Sequence, residues 1–152
     1  AIIMSVSIRR EYRLKFYLNA QHYVVLDGVK GQAHPHTWEF SLNIRTLCDS
    51  VTPFHVYEQG INAYLEGFQD TVLNDTPTFA QKQPTLEGIV EAFAAEFDRI
   101  VCEKGGSLRS VEGSEGPTRS YIVYIDDDSA ARLAQERLEN NVVDAVIDEA
   151  LR

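Results

Sequence analysis

Three histidines carry the chemistry that this sequence advertises. His22, His34 and His36 each stand in the apolar phase of an alternating segment. In a β-strand, residues i and i+2 point to the same side of the sheet. Over residues 12–22 one phase reads Tyr12, Leu14, Phe16, Leu18, Ala20, His22, against Arg13, Lys15, Tyr17, Asn19, Gln21. Over residues 34–44 it reads His34, His36, Trp38, Phe40, Leu42, Ile44, against Pro35, Thr37, Glu39, Ser41, Asn43. In both segments the core-facing phase carries the histidines, at the segment's end. Antiparallel pairing across the loop at 23–33 sets the end of the first beside the start of the second, so the imidazoles converge. Three neutral imidazoles at about 2 Å leave Zn2+ one open position, the arrangement of catalytic rather than structural zinc. A lone histidine in such a phase is ordinarily a core residue satisfied by hydrogen bonds. Three in phase at adjoining ends favour the metal.

The chain that must position them has 152 residues, of which 44% are hydrophobic. That is one domain's worth, spanning 1–152, with enough apolar material for a real core. Its net charge of −9 argues against nucleic acid, which requires clustered Lys and Arg, and against an anionic membrane surface. No apolar run reaches the roughly 18 residues of a membrane span, and no signal-peptide pattern is present, so the expected location is cytoplasmic. Cys48 and Cys102 have no motif spacing and read as reduced thiols.

Beyond residue 44, a turn at 49–53 precedes a helical pattern at 54–73, with Val56, Ile61, Tyr64, Leu65, Phe68 and Val72 near helical spacing. A loop at 74–84 follows. Then Leu86, Ile89, Val90, Phe93, Phe97, Ile100 and Val101 form one stripe, with Thr85 placed to cap the helix and Gly105 to stop it. Residues 108–111 and 119–125 read as a hairpin turning over 113–117. A final helix, extended and acidic, is expected from about 129 to 151. This order predicts an α+β fold, a four-stranded antiparallel sheet with helices on one face.

At this point the sequence resembles the 6-pyruvoyltetrahydropterin synthase and 6-carboxytetrahydropterin synthase family of the tunnelling fold. Asn19-Ala-Gln-His22, His34-Pro-His36-Thr-Trp38, Leu73-Asn-Asp75 and Pro84-Thr-Leu-Glu87 carry the resemblance, in family order across residues 10–130. It implies a zinc-dependent lyase acting on a dihydroneopterin-type substrate, with His22, His34 and His36 as metal ligands. It also implies homohexamers, two trimers stacked around a tunnel, in which sheets join into a barrel and remove exposed edges. A pterin-like small molecule and further copies of the chain are therefore the expected partners.

Other site residues carry over unevenly. Glu87 and Thr85 match the family's pterin-holding Pro-Thr-x-Glu motif; read from the sequence alone, Glu87 is equally a favourable charge at a helix N-terminus. Asp126 stands where the family has a glutamate anchoring the pterin 2-amino group, and is equally a helix cap. Lys30 occupies the place of the catalytic cysteine. Gln69 and Asp70 replace the catalytic Asp-His pair, and glutamine cannot accept a proton. Lys30 beside zinc and Asp70 are the substitute catalytic groups, with solvated surface charges as the plainer reading. Besides a divergent lyase, the sequence admits a catalytically silent zinc- and pterin-binding homologue, or a structural protein whose histidines staple the 23–33 loop.

Overall fold

A computed structural model describes residues 5–46 and 52–126. Strand β1 (Glu11–His22) is followed by two short strands, β2 (Val25–Leu26) and β3 (Val29–Lys30), and then by β4 (His34–Thr46). Helix α1 (Phe54–Glu66), two 3₁₀ turns at Leu73–Asp75 and Pro77–Phe79, and helix α2 (Leu86–Glu103) lead to the hairpin of β5 (Gly106–Gly116) and β6 (Arg119–Tyr124). The main sheet has the order β1-β4-β5-β6, and every neighbouring pair is antiparallel. This is the expected α+β architecture. The 23–33 loop folds as its own hairpin, β2 against β3, around Asp27 and Gly28, both at positive φ (51° and 76°). An Asp-Gly pair suits that mirror-image turn, whose twist matches the flanking strands.

Alternation produces the layers. On one side of the sheet Leu14, Leu42, Val111 and Val123 form one cross-strand row, and Phe16, Phe40, Gly113 and Tyr121 the next. Trp38, Phe40, Leu42 and Ile44 of β4 are fully buried. They pack under α2, which presents Ile89, Val90, Phe93, Phe97 and Val101, and under α1, which presents Tyr57, Ile61 and Leu65. Burial of each such side chain contributes about 1.5–3 kcal/mol relative to exposure. The opposite side of the sheet carries Arg13, Lys15, Ser41, Asn43, Ser110 and Glu112, and among the described residues no helix packs on it. Thr85 caps α2, its hydroxyl accepting from Gly88 N at 3.1 Å, and Gly105 ends the helix segment at φ 84°.

Three boundaries differ from the sequence expectation. Helix α1 stops at Glu66 rather than near 73, because the chain reverses through Asp70 at φ 61° and Val72 then pairs in parallel with Gln21. The last hairpin turns at Pro117 and Thr118, with Gly113 inside β5 instead of in the turn. The 74–84 loop contains the two 3₁₀ turns. The turn at 49–53 lies largely, and the helix from about 129 and Cys48 wholly, outside the described residues. Among the described residues no helix is long and apolar enough to cross a membrane.

Gly113 is held by packing: a Cβ there would lie 2.2 Å from Val90 Cγ2. Gly113→Ala should therefore cost about 1–3 kcal/mol in urea unfolding through overpacking. In combination with Val90→Ala, which makes room, the extra cost should shrink. Additive losses in the double variant would show that the close approach is not the constraint.

Candidate metal centre and its cleft

The pairing of β1 with β4 begins at the site: His22 lies directly opposite His34, and Ala20 opposite His36. One ring nitrogen from each of His22, His34 and His36 lies within 4.8 Å of the other two. His22 is buried at 4% exposure. His36 is half-buried and His34 exposed.

Backbone carbonyls fix two of the rings. His22 Nδ1 is 2.6 Å from Pro84 O, and His34 Nδ1 is 3.1 Å from Gln32 O. A carbonyl only accepts, so both Nδ1 atoms carry the proton and both Nε2 atoms present lone pairs. Those two Nε2 atoms face each other at 2.9 Å. Two acceptors at that distance repel unless a cation sits between them. The same outer partners are those that orient zinc-bound histidines. Burial lowers the pKa of His22, and His34 and His36 lower it further against the opposing pull of the Pro84 carbonyl and Glu115. The neutral form is the one that ligates, so the donor set, its tautomers and its electrostatics all fit a divalent metal ion.

The first wall of the site is held by side-chain amides. The segment 69–84 runs beside the chain from Tyr17 to Val25, and three carboxamides bind its backbone at two points each. Gln69 accepts from Asn19 N and donates to Tyr17 O, both at 2.9 Å. Asn74 accepts from Tyr23 N and donates to Tyr23 O, both at 2.9 Å. Gln83 accepts from Val25 N at 2.8 Å and donates to Val25 O at 3.1 Å. Between them, Asp70 N donates to Asn19 O at 2.7 Å and Gln21 N to Thr71 O at 2.8 Å. Each amide does for the exposed edge of β1 and its continuation what a neighbouring strand would do.

A cleft of about 600 Å³ opens over the three histidines. Val24, Thr85, Leu86 and Glu87 line one side, and Glu115, Gly116, Thr118 and Arg119 the other. Thr85 and Glu87 thus join the histidines as the sequence motif suggests. Glu115 was not foreseen. It is tied to the site by Trp38, whose Nε1–H donates to Glu115 Oε1 at 3.0 Å. Its signal was present in the sequence, because Val111, Gly113 and Glu115 share one strand phase just as Ala20 and His22 do.

The remaining candidates lie elsewhere. Asp70 borders a second groove of about 410 Å³ with Asn19, Gln21, Pro35 and Thr37, reached from the other side of His36. Lys30 is exposed on β3, its ammonium 4.3 Å from the centre of the Tyr23 ring. Asp126 is exposed beyond the end of β6. At about 3.3 Å per strand residue it stands roughly 20 Å along that strand from Arg119 at the cleft. The structure therefore unites the three histidines with Thr85 and Glu87, leaves Asp70 across His36, and places Lys30 and Asp126 outside the lining of this cleft.

Comparison with known proteins agrees with this architecture. The chain superposes on 6-pyruvoyl tetrahydropterin synthase from Caenorhabditis elegans with a TM-score of 0.67 at 13% identity, covering 81% of this chain and 100% of that one. The corresponding protein from Plasmodium falciparum gives 0.58 at 15% identity, over 77% and 99%. That from Plasmodium vivax gives 0.56 at 15% identity, over 79% and 99%. At such identities these structures speak to the fold. No curated protein sequence matches the chain. The model of the 6-pyruvoyl tetrahydropterin synthase family matches residues 11–126, and the chain belongs to that family.

Proposed function

We propose that this protein is a zinc-dependent lyase of the 6-pyruvoyltetrahydropterin synthase type, acting on a dihydroneopterin-type substrate with its usual cysteine and Asp-His groups replaced. The observation that carries the reading is the trio His22, His34 and His36 opening into the same cleft as Thr85 and Glu87. Zn2+ held by these imidazoles supplies Lewis acidity toward hydroxyl and carbonyl oxygens of a bound substrate. The chain's own groups supply recognition. A pterin presents N–H donors along its pyrimidine edge, and carboxylates that only accept are their natural partners. Glu87 and Glu115 are the two carboxylates in the cleft, so in this reading Glu115 takes the anchoring role that the resemblance assigns to Asp126. The Trp38 bond leaves the second Glu115 oxygen available to a ligand.

Proton transfer falls to Asp70. Gln69 has no proton to exchange, and both ends of its amide are engaged by the β1 backbone. Lys30 keeps its place as a candidate only through movement of the β2–β3 hairpin toward the site. Self-association is part of the proposal as well: among the described residues the Glu11–Phe16 half of β1 and the outer edge of β6 pair with no further strand, and Tyr17, Ile122 and Tyr124 are exposed on the side of the sheet away from α1 and α2. One observation favours a second reading, a binding protein without turnover. The position of the family's relay acid is occupied by a glutamine with a structural task.

Replacing His36 with alanine should abolish stoichiometric zinc in the purified protein, measured by elemental analysis; full occupancy would remove His36 from the ligand set. Glu87→Gln and Glu115→Gln should each weaken dihydropterin binding about tenfold by calorimetry while zinc content stays unchanged. Equal affinity in both variants would return these carboxylates to structural roles. The decisive assay incubates the zinc-loaded protein with 7,8-dihydroneopterin triphosphate and follows products by chromatography. The lyase reading expects a new pterin product, and about a hundredfold slower formation in Asp70→Asn. Tight binding without product would establish the second reading.

A further inference from the structure

Arg119 stands apart from the other charged groups of the cleft. It is the first residue of β6, set by the tight turn that pairs it with Gly116, and it lines the cleft together with the three histidines. Among the described residues it is the one Lys or Arg that does so. Among the described residues it forms no salt bridge and no side-chain hydrogen bond, although Glu87 and Glu115 border the same space. Elsewhere among the described residues Lys15 pairs with Glu39, Lys82 with Glu91, and Arg99 with Glu96 and Glu103. None of the motifs that carry the family resemblance includes position 119.

The charge balance gives this placement a meaning. A chain of net charge −9 repels an anionic ligand, and two carboxylates inside the cleft add to that repulsion. An unpaired guanidinium beside them offers planar, two-point hydrogen bonding to a phosphate or carboxylate oxygen pair. We propose that Arg119 is the anion-recognising residue of this cleft, holding a phosphate-bearing substituent of the ligand while Glu87 and Glu115 hold its donor edge. This rests on the pterin reading for the ring, but the anion contact itself does not. Arg119 selects substrate and carries no part of the chemistry.

The test compares zinc-loaded wild-type protein with Arg119→Gln and Arg119→Lys by calorimetry. The ligands are 7,8-dihydroneopterin triphosphate, uncharged 7,8-dihydroneopterin, and inorganic tripolyphosphate, with zinc retention checked after each titration. The expected result is at least a tenfold loss of affinity for the triphosphate in Arg119→Gln, a smaller loss in Arg119→Lys, and unchanged affinity for the uncharged pterin. An equal loss for both pterins, or none for either, overturns the proposal while leaving the pterin reading in place. If neither pterin binds the wild type, the pterin reading fails and tripolyphosphate decides. Binding that weakens in Arg119→Gln upholds the anion contact; unchanged or absent tripolyphosphate binding ends it.

Discussion

The register of β1 against β4 is the constraint from which the site follows. It places His22 opposite His34 and, two residues along the same phase, Ala20 opposite His36. Because side chains alternate with a period of two, a slip of one residue in either strand would send that strand's imidazoles to the opposite side of the sheet from the other's and expose its apolar residues with them, Phe16 and Leu18 of β1 or Phe40 and Leu42 of β4. The core therefore enforces the geometry of the three histidines. Four fully or nearly fully buried apolar side chains, each worth about 1.5–3 kcal/mol, oppose any shift that would separate the ligands. The small Ala20 is what leaves room across from His36, and Trp38 closes the core directly beneath the rings at 5.0 and 5.3 Å from His22 and His36.

The second requirement is a wall, and irregular chain provides it. Residues 69–84 are too rich in turns to make a strand, yet the N–H and C=O groups along the edge from Tyr17 to Val25 need partners. Gln69, Asn74 and Gln83 provide them, and Pro84 O completes the run by orienting His22. The clamps end where α2 begins. Gly88 in the first turn of α2 makes that junction tight, since a Cβ there would meet Gln83 O at 2.2 Å. The segment that holds the edge thus also sets where Thr85 and Glu87 stand over the cleft.

Much of this was legible in the sequence because alternation speaks directly about faces. The phases of 12–22 and 34–44 sufficed to bring the histidines together, and the stripe from Leu86 to Val101 to place α2 with its cap. What escaped was governed by tertiary pairing. Phe68 and Val72 continue the helical spacing of α1, but the edge of β1 recruits that stretch into a parallel bridge, so the helix ends early. Glu115 was hidden by a turn assigned across Gly113, a glycine required by Val90 rather than by a bend. The carboxamide clamps look like ordinary loop residues, since an amide's partner 50 or more positions away leaves no local pattern. The three histidines were readable for the reason Arg119 was not: they share a periodicity with a core, whereas a single charge at a hairpin corner has none.

Gln69 has a bearing on how such a protein changes over generations. Its amide satisfies one donor and one acceptor of β1 at once. A carboxylate at the same place could still receive the Asn19 N–H, but its other oxygen would confront the Tyr17 carbonyl, acceptor against acceptor. Shielding the edge of the sheet and titrating as a relay acid are thus competing occupations of one position. With glutamine there, a carboxylate cannot be introduced in a single step without loosening the wall beside His22. Glutamine at this position behaves as a ratchet, and a proton-exchanging group is more readily recruited from around the rim than installed at position 69.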